Sequence, residues 1–226
     1  MKTSNKILLA LFLLPFITVL FIMLTLHAKI KNGDYITDQQ LEEKNNNRYT
    51  VQPFTEIYLQ NFRYGNVTIT KADSFSIKYS KEIKDNIEYR LNGNRLFVKS
   101  LGNNYYNRVV IYCPSFNSIE ADSSAVSVDS MSLYNCRIAV GASSSLSFGA
   151  QADTLSLNLK DHSDLSFTST AKVNVLGLAM GNHATLNQTE GTIKNRGEML
   201  LADSATLNID GRTMQKFINS PQAVQP

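Results

Sequence analysis

The sequence predicts an all-β domain of the β-solenoid class, preceded by one N-terminal transmembrane helix. Three observations lead to this fold class. A run of twenty residues near the N-terminus carries no charge, apolar and polar residues alternate with period two from Phe54 onward, and a related segment recurs about every 20 residues through the second half. A chain of 226 residues is long enough for one well-buried domain with appendages.

The uncharged run covers residues 7–26 and predicts a membrane-spanning helix. At ~1.5 Å per residue, a helix of this length spans the ~30 Å of a bilayer's hydrocarbon core. We favour an uncleaved signal anchor, residues 1–28, over a cleaved signal peptide. The run exceeds the roughly 7–15 apolar residues of a signal peptide, and Leu26 stands where a cleavage site needs a small residue. Lysines lie on both sides of the run, so charge does not fix the orientation.

Residues 29–53 are polar, and we expect a solvated linker there because they have too few apolar residues to offset the entropy of ordering. From residue 54 the alternation of Ile57 with Leu59 and of Leu96 with Val98 predicts half-buried strands. Asn92-Gly93-Asn94 predicts a tight hairpin, since Asn and Gly accept positive φ. Residues 54–112 are therefore expected to be strands, some antiparallel, that begin and cap the fold.

The repeat begins at residues 122–128 and returns at 142–148, 161–167, 182–188 and 203–209. A spacing of about 20 residues with short β runs in each copy is typical of a solenoid. Copies stacked at ~4.8 Å would align one interior apolar column. The predicted column is Val126, Leu146, Leu165, Leu186 and Leu207, and the polar residues after them face outward: Ser127, Ser147, Ser166, Asn187 and Asn208.

The β domain is expected to cover residues 54–211, with a C-terminal tail at 212–226. An exposed solenoid end needs covering. Residues 212–218 are predicted to fold over the last copy as a short capping turn, and residues 220–226 are predicted to be a disordered tail.

Charge and cysteine content argue against several functions. Residues 54–112 hold nine Lys/Arg against five Asp/Glu, whereas residues 113–211 hold five against ten. An acidic half without a cationic run is a poor nucleic-acid surface, so no nucleic-acid partner is expected. We expect no cofactor and no metal site, because two distant cysteines do not make a zinc site. Cys113 and Cys136 are interpreted as small buried hydrophobes, and a disulfide remains the alternative.

Two sets of residues are candidates for a binding patch. His162 and His183 occupy equivalent places in adjacent copies and would lie one above the other, where they would bind a metal or a sugar or act as acid and base. We favour a simpler role, a corner ladder of polar turn residues. Tyr105 and Tyr106 are flanked by asparagines, which suits sugar rings or peptide backbones. The alternative for them is an exposed loop that closes on the core.

The order of several motifs resembles that of a known family. Pro53, Phe54 and Ile57 are followed by residues 65–69 and by residues 93–98. A hydrophobic strand ending in Pro114 comes next, then Ile119 and the repeats. This order resembles the head GIN domain family, whose members are also called putative autotransporter adhesins and are frequent in Bacteroidetes. The resemblance covers residues 53–210. It implies a right-handed parallel β-helix in an exported, envelope-associated protein, and it supplies no functional residues.

The resulting hypothesis is a membrane-anchored, non-enzymatic cell-envelope module that binds or scaffolds a glycan or an envelope protein. The membrane itself is a partner through residues 7–26, and the C-terminal domain is expected on the periplasmic or cell-surface side. One alternative is an envelope sensor or complex subunit. The other is a polysaccharide-active β-helix enzyme, which would need Asp, His and Arg side chains converging on one groove.

Overall fold

The computed structural model describes residues 3–33, 45–63, 66–102 and 107–219. The chain divides into two compact units, residues 1–45 and 46–226. The first contains one apolar helix, and the second consists mostly of β-strands. The prediction of a mainly β protein with one N-terminal apolar helix is confirmed.

Helix α1 (Thr3–Lys31) extends the predicted apolar run at both ends. Its segment Leu11–Lys31 has a mean hydropathy of 2.3 and is long and apolar enough to cross a membrane. The hydroxyls of Thr18 and Thr25 donate to the carbonyls of Leu14 and Phe21 at 2.9 and 2.8 Å, so both polar side chains are satisfied within the helix. A signal sequence near the N-terminus also meets these criteria of helix length and hydropathy, so the uncleaved anchor stays a prediction.

The described part of the second unit contains fifteen strands and two short helices. The strands are β1 (Asn46–Thr50), β2 (Glu56–Gln60), β3 (Asn66–Lys71), β4 (Ser76–Ser80), β5 (Ile87–Asn92), β6 (Arg95–Ser100), β7 (Arg108–Cys113), β8 (Ser118–Asp122), β9 (Ala125–Val140), β10 (Ser145–Leu159), β11 (Asp164–Phe167), β12 (Lys172–Met180), β13 (Thr185–Gln188), β14 (Thr192–Leu201) and β15 (Thr206–Ile209). The helices are a 3-10 helix (Lys81–Asn86) and α2 (Gly211–Asn219).

Successive repeats pair side by side in parallel register and form layers of a stack. Leu146 lies opposite Val126 on one side and Leu165 on the other, and Leu186 and Leu207 continue the same column. The predicted interior column is therefore confirmed, with every member buried except Leu207 in the last layer, which is half-buried. The column is longer than predicted, because Val67 pairs with Val126 and Val109 pairs with Val67.

The first layers are stacked out of sequence order. Strand β2 lies between β6 and β8, and β3 lies between β7 and β9, all in parallel pairs. Residues 114–117 therefore connect β7 to β8 past the layer of β2 and β3. The expectation that residues 54–112 serve as capping strands is wrong for β2, β3, β6 and β7, which are full members of the stack. Period-two alternation indicates only that one face of a strand is buried. A strand inside the stack and a strand that caps its end both show this pattern, so the sequence did not distinguish them.

Antiparallel strands close the N-terminal end of the stack and make the sheet mixed. Strands β1 and β4 pair antiparallel with each other, β4 with β7, and β5 with β6. The rings of Tyr49 and Tyr79 stack with centroids 5.2 Å apart, and Tyr79 is buried. The predicted linker over 29–53 is thus wrong for Asn46–Thr50, because Tyr49 anchors this polar segment on the core. Residues 34–44 of that linker lie outside the described residues.

Helix α2 closes the C-terminal end and buries Thr213 and Phe217. Asp210 precedes the helix and accepts hydrogen bonds from the backbone N–H of Arg212 at 2.8 Å and from the Thr213 hydroxyl at 2.7 Å. The Gln188 amide donates to the same carboxylate at 2.8 Å. The bonds from Thr213 and then Gln188 lower the pKa of Asp210 to about 2. Within the predicted tail, residues 212–219 are therefore helical; residues 220–226 lie outside the described part.

Cys113 and Cys136 are free and buried, which agrees with their interpretation as small hydrophobic side chains. Burial raises the pKa of both thiols to about 12, since a thiolate has no partner in an apolar interior. The disulfide alternative does not occur in the structure.

Candidate binding surfaces

The corners that begin the first four repeats form a column of residues with left-handed backbone conformation. Ser123, Ser143, His162 and His183 have φ values of 48°, 56°, 58° and 55°. The structure brings the two predicted histidines together, with parallel rings whose centroids are 4.9 Å apart and whose side chains are exposed. Because the rings stack face to face on turn residues, their arrangement serves the corner, and their role in binding stays a prediction.

Polar side chains at the corners satisfy the backbone of neighbouring layers. The Asp161 carboxylate accepts from the Asn182 N–H at 2.8 Å, and the Ser204 hydroxyl accepts from the His183 N–H at 3.3 Å and donates to the Asn182 side chain at 3.1 Å. These bonds are those expected of turn residues. Among the described residues, no group of three or more His, Cys, Asp or Glu side chains is placed to hold a metal ion.

A row of short polar side chains runs along one outer face of the stack. This serine row pairs in register from layer to layer and consists of Thr68, Ser127, Ser147, Ser166, Asn187 and Asn208. The Asn208 amide donates to the Asn187 side-chain oxygen at 2.7 Å. A shallow groove of about 550 Å³ lies along this row and also includes Asp164. The predicted outward orientation of the five repeat residues of this row, from Ser127 to Asn208, is confirmed.

A second groove lies on another face, over the first layers of the stack, and carries aromatic rings. This Tyr58 groove encloses about 460 Å³ and is lined by the side chains of Tyr58, Gln60, Glu88, Arg90, Phe97 and Lys99. The rings of Tyr58 and Phe97 lie on adjacent strands with centroids 5.5 Å apart and planes tilted by 49°. Both rings are half-buried.

Charged groups surround the two rings. The guanidinium carbons of Arg90 and Arg95 lie 5.2 and 5.9 Å from the centroid of the Phe97 ring. Arg95 also binds Glu56 at 3.0 Å and approaches Glu120 to 3.7 Å. Burial raises the pKa of Tyr58, and the carboxylates of Asp122 and Glu120 add to this effect. The Tyr58 phenol therefore stays protonated near neutral pH and is able to donate a hydrogen bond.

Sequence reasoning missed the Tyr58 groove, although a signal for it was present. Ile57-Tyr58-Leu59 and Leu96-Phe97-Val98 each place an aromatic residue between two interior aliphatic residues. Period two then puts both rings on the outer face. What the sequence did not show is the layer order that makes β2 and β6 neighbours. Tyr105 and Tyr106, the other predicted patch, lie outside the described residues.

Comparison with known proteins identifies the fold. No known protein family matches the chain, and no curated protein matches it. Among solved structures, the chain is similar to a "putative adhesin" from Parabacteroides distasonis, with a TM-score of 0.61 and 11% identity over 72% of this chain and 71% of that chain. It is also similar to a "putative adhesin" from Parabacteroides merdae, with a TM-score of 0.56 and 12% identity over 72% and 73% of the two chains. At such low identities, the likeness shows a shared fold.

Proposed function

We propose that this protein is a membrane-anchored, non-enzymatic binding or scaffolding module of the cell envelope, adhesin-like in function. Residues 1–28 serve as an uncleaved single-pass anchor, and the β unit is a right-handed parallel β-helix of the head GIN type on the exported side. Its ligand is a glycan or an envelope protein. The two similar structures support this proposal, because each is named a "putative adhesin" and shares the fold.

The observation that carries the proposal is the outer surface of the stack. Its faces present rows of side chains in register over successive layers, such as the serine row from Thr68 to Asn208. A long, regular surface of this kind suits an extended ligand or a partner that is contacted at many points. It is joined in the same chain to a helix apolar enough to hold the protein at a membrane.

The placement of the acidic residues argues against a hydrolase. Asp164 lines the groove along the serine row, whereas Asp153 lines a separate groove and accepts a hydrogen bond from Asn174 at 2.7 Å. Asp161 is engaged at a corner by the N–H of Asn182. Acid and base catalysis of glycoside hydrolysis needs two carboxyl groups on one cleft, roughly 5–10 Å apart across the bond to be cleaved. Asp153 and Asp161 are engaged as structural groups, and Asp164 lines a groove that neither of them lines. The neighbouring carboxylates Glu56 and Glu120 are both held by Arg95.

The proposal is tested with the full-length chain in lipid nanodiscs. The chain is screened on a glycan array, each bound glycan is incubated and analysed for cleavage, and envelope proteins are cross-linked to the chain in native membranes. We expect a reproducible glycan or a defined cross-linked partner, with no cleavage products. Turnover of a bound glycan would contradict the non-enzymatic assignment. Failure of both screens would contradict the binding function itself.

A further inference from the structure

We propose that the Tyr58 groove is a carbohydrate site that takes a neutral, linear glycan, with the Tyr58 ring as its stacking platform. This inference rests on the proposed function and deepens it, because it assigns both the ligand class and the position of the site. It is carried by the two rings, by the polar groups around them and by the strand order beneath them.

Tyr58 provides the stacking face and Phe97 supports it. Two guanidinium groups, of Arg90 and Arg95, lie over the Phe97 ring, so its face is already occupied. The Phe97 ring in turn packs against Tyr58 at 5.5 Å and fixes the orientation of the phenol ring. An apolar ring face that is partly open to solvent is suited to the C–H face of a sugar ring, whose hydroxyl groups then point to the sides.

The groups beside Tyr58 match the hydrogen bonding of sugar hydroxyls, which both donate and accept. Glu56 and Glu120 supply acceptors, and the guanidinium of Arg95 between them supplies donors. Because Arg95 is held by these two carboxylates, the donors and acceptors are already oriented before a ligand arrives. Binding then loses less side-chain entropy than it would at a mobile surface.

The charge in and around the groove favours a neutral ligand. Glu88, Arg90 and Lys99 line the groove, and Glu56, Arg95, Glu120 and Asp122 lie beside it on β2, β6 and β8. Charges of both signs are thus mixed over this face. A polyanionic glycan would meet these carboxylates as well as the cations, so its charge would gain little net attraction. A neutral glycan makes hydrogen bonds to both kinds of group and meets no repulsion.

The strand order disfavours a peptide. β6 is paired on both sides, with β5 and β2, and β2 is paired on both sides, with β6 and β8. An extended peptide over Tyr58 therefore finds no free strand edge to supply backbone hydrogen bonds. A helix would need an apolar groove, and the neighbours of Tyr58 in this groove are mostly charged or polar.

The register gives the direction of the glycan. Tyr58 aligns with Glu120 in the next layer, and the same outward row continues through the small side chains of Ala139, Asn158 and Ala179. Layers repeat at ~4.8 Å. A linear chain that begins on Tyr58 and runs along the stack therefore crosses one layer after another over a track of small residues.

The test measures binding of neutral hexasaccharides to the full-length chain in nanodiscs by titration calorimetry. The probes are cellohexaose, laminarihexaose, xylohexaose and mannohexaose, with polygalacturonate as the acidic comparison. We expect at least one neutral hexasaccharide to bind more tightly than polygalacturonate. Tyr58→Ala should weaken that binding by about tenfold or more, and Tyr58→Phe should change it by less than about twofold because the ring remains.

A matched control is Tyr134→Ala, which removes a tyrosine from β9 whose exposed fraction is 75% and should leave binding unchanged. Glu120→Gln retains the shape of the side chain and should weaken binding several-fold through the loss of a charged acceptor. Thermal unfolding of each variant checks that the fold is retained, which is expected because Tyr58 and Glu120 face outward.

Three results would overturn the inference. Binding that survives both Tyr58→Ala and Glu120→Gln but falls in Tyr105→Ala or His162→Ala would place the site elsewhere and leave the proposed function standing. Tighter binding of polygalacturonate would overturn the ligand class. If no neutral hexasaccharide binds, the glycan assignment fails, and a cross-linked envelope protein would still support the proposed binding module.

Discussion

The two ends of the stack are closed by different means. At the N-terminal end, β1 pairs antiparallel with β4, β4 with β7, and β5 with β6. Interior residues of the first layer, such as Leu96, are fully buried there. At the C-terminal end one nine-residue helix covers the last layer. Leu201 continues a column that is buried at Val140, Leu159 and Met180, yet 49% of its surface is exposed.

This difference shows what a repeat does and does not provide. Each inner layer receives neighbours on both sides from the repeat itself, whereas a terminal layer depends on segments outside the repeat. The N-terminal closure joins the sheet through backbone hydrogen bonds and a stack of tyrosines. The C-terminal closure rests on the buried side chains of α2 and on one capping carboxylate. The last layer should therefore open at a lower free energy than the rest of the stack.

The largest effect is expected in the middle of the stack, where neither closure contributes. Leu165→Asp places a carboxylate in the interior column, where the side chain is 1% exposed and lies between Leu146 and Leu186. A buried charge without a partner costs more than about 4 kcal/mol, and we expect the β unit to be unfolded. Circular dichroism of the full-length variant measures this. Ser166→Asp, one residue further and facing outward, is the control and should fold. If Leu165→Asp unfolded at the same temperature as wild type, Leu165 would not lie in the interior column and the strand register would be refuted.

A smaller but still global effect is expected at the N-terminal end. Tyr79→Ala removes a ring that is 4% exposed and stacks on Tyr49. We expect a loss of about 3 kcal/mol in the free energy of unfolding, because the cavity lies in the main core. The loss should appear in the midpoint of the main denaturant transition. Tyr134→Ala is the control and should change the free energy of unfolding by less than about 0.5 kcal/mol. An unchanged midpoint in Tyr79→Ala would mean that this closure is separable from the core.

The stack was accessible to sequence reasoning because its signal is repeated. A single apolar pair predicts little, but Val126, Leu146, Leu165, Leu186 and Leu207 recur at one spacing, and their registers agree with the structure. The exchange of layer order at β2, β3, β6 and β7 was not accessible. The layer order depends on which strands pair with each other when they are far apart in the sequence. The alternation of apolar and polar residues within each strand is the same whichever strands become its neighbours.

The candidate binding surfaces were predicted only in part. The spacing of the repeats correctly brought His162 and His183 together. It did not bring Tyr58 beside Phe97, because these residues are separated by 39 positions and share no repeat motif. Likewise, Asn46–Thr50 looked like a linker because a strand that is held by one tyrosine and by backbone pairing has almost no apolar pattern.

At the C-terminal end the effect should be local. Phe217→Ala removes the apolar anchor of α2, a side chain that is 4% exposed. We expect hydrogen exchange to accelerate in α2 and in the edge strand β15. The free energy of global unfolding should fall by only about 1 kcal/mol, since the helix detaches before the stack opens. Exchange monitored by mass spectrometry distinguishes this from Tyr79→Ala. An equal loss of protection in β2 and β3 would contradict independent opening of this end.

The smallest effect, and the one that depends on pH, concerns the cap of the same helix. Asp210→Ala removes the acceptor for Arg212 and Thr213, which should destabilise α2 by about 1 kcal/mol. In wild type the folded pKa of Asp210 is about 2, below its ordinary value of 3.8, so its ionised form stabilises the fold. That contribution is complete above pH 4 and is lost as the pH falls from about 4 to about 2.

Asp210→Asn retains a capping acceptor but cannot ionise, and it should lack this part of the pH dependence in the hydrogen exchange of α2. If wild type and Asp210→Asn gave the same pH profile, the carboxylate would not be what fixes this end of the stack.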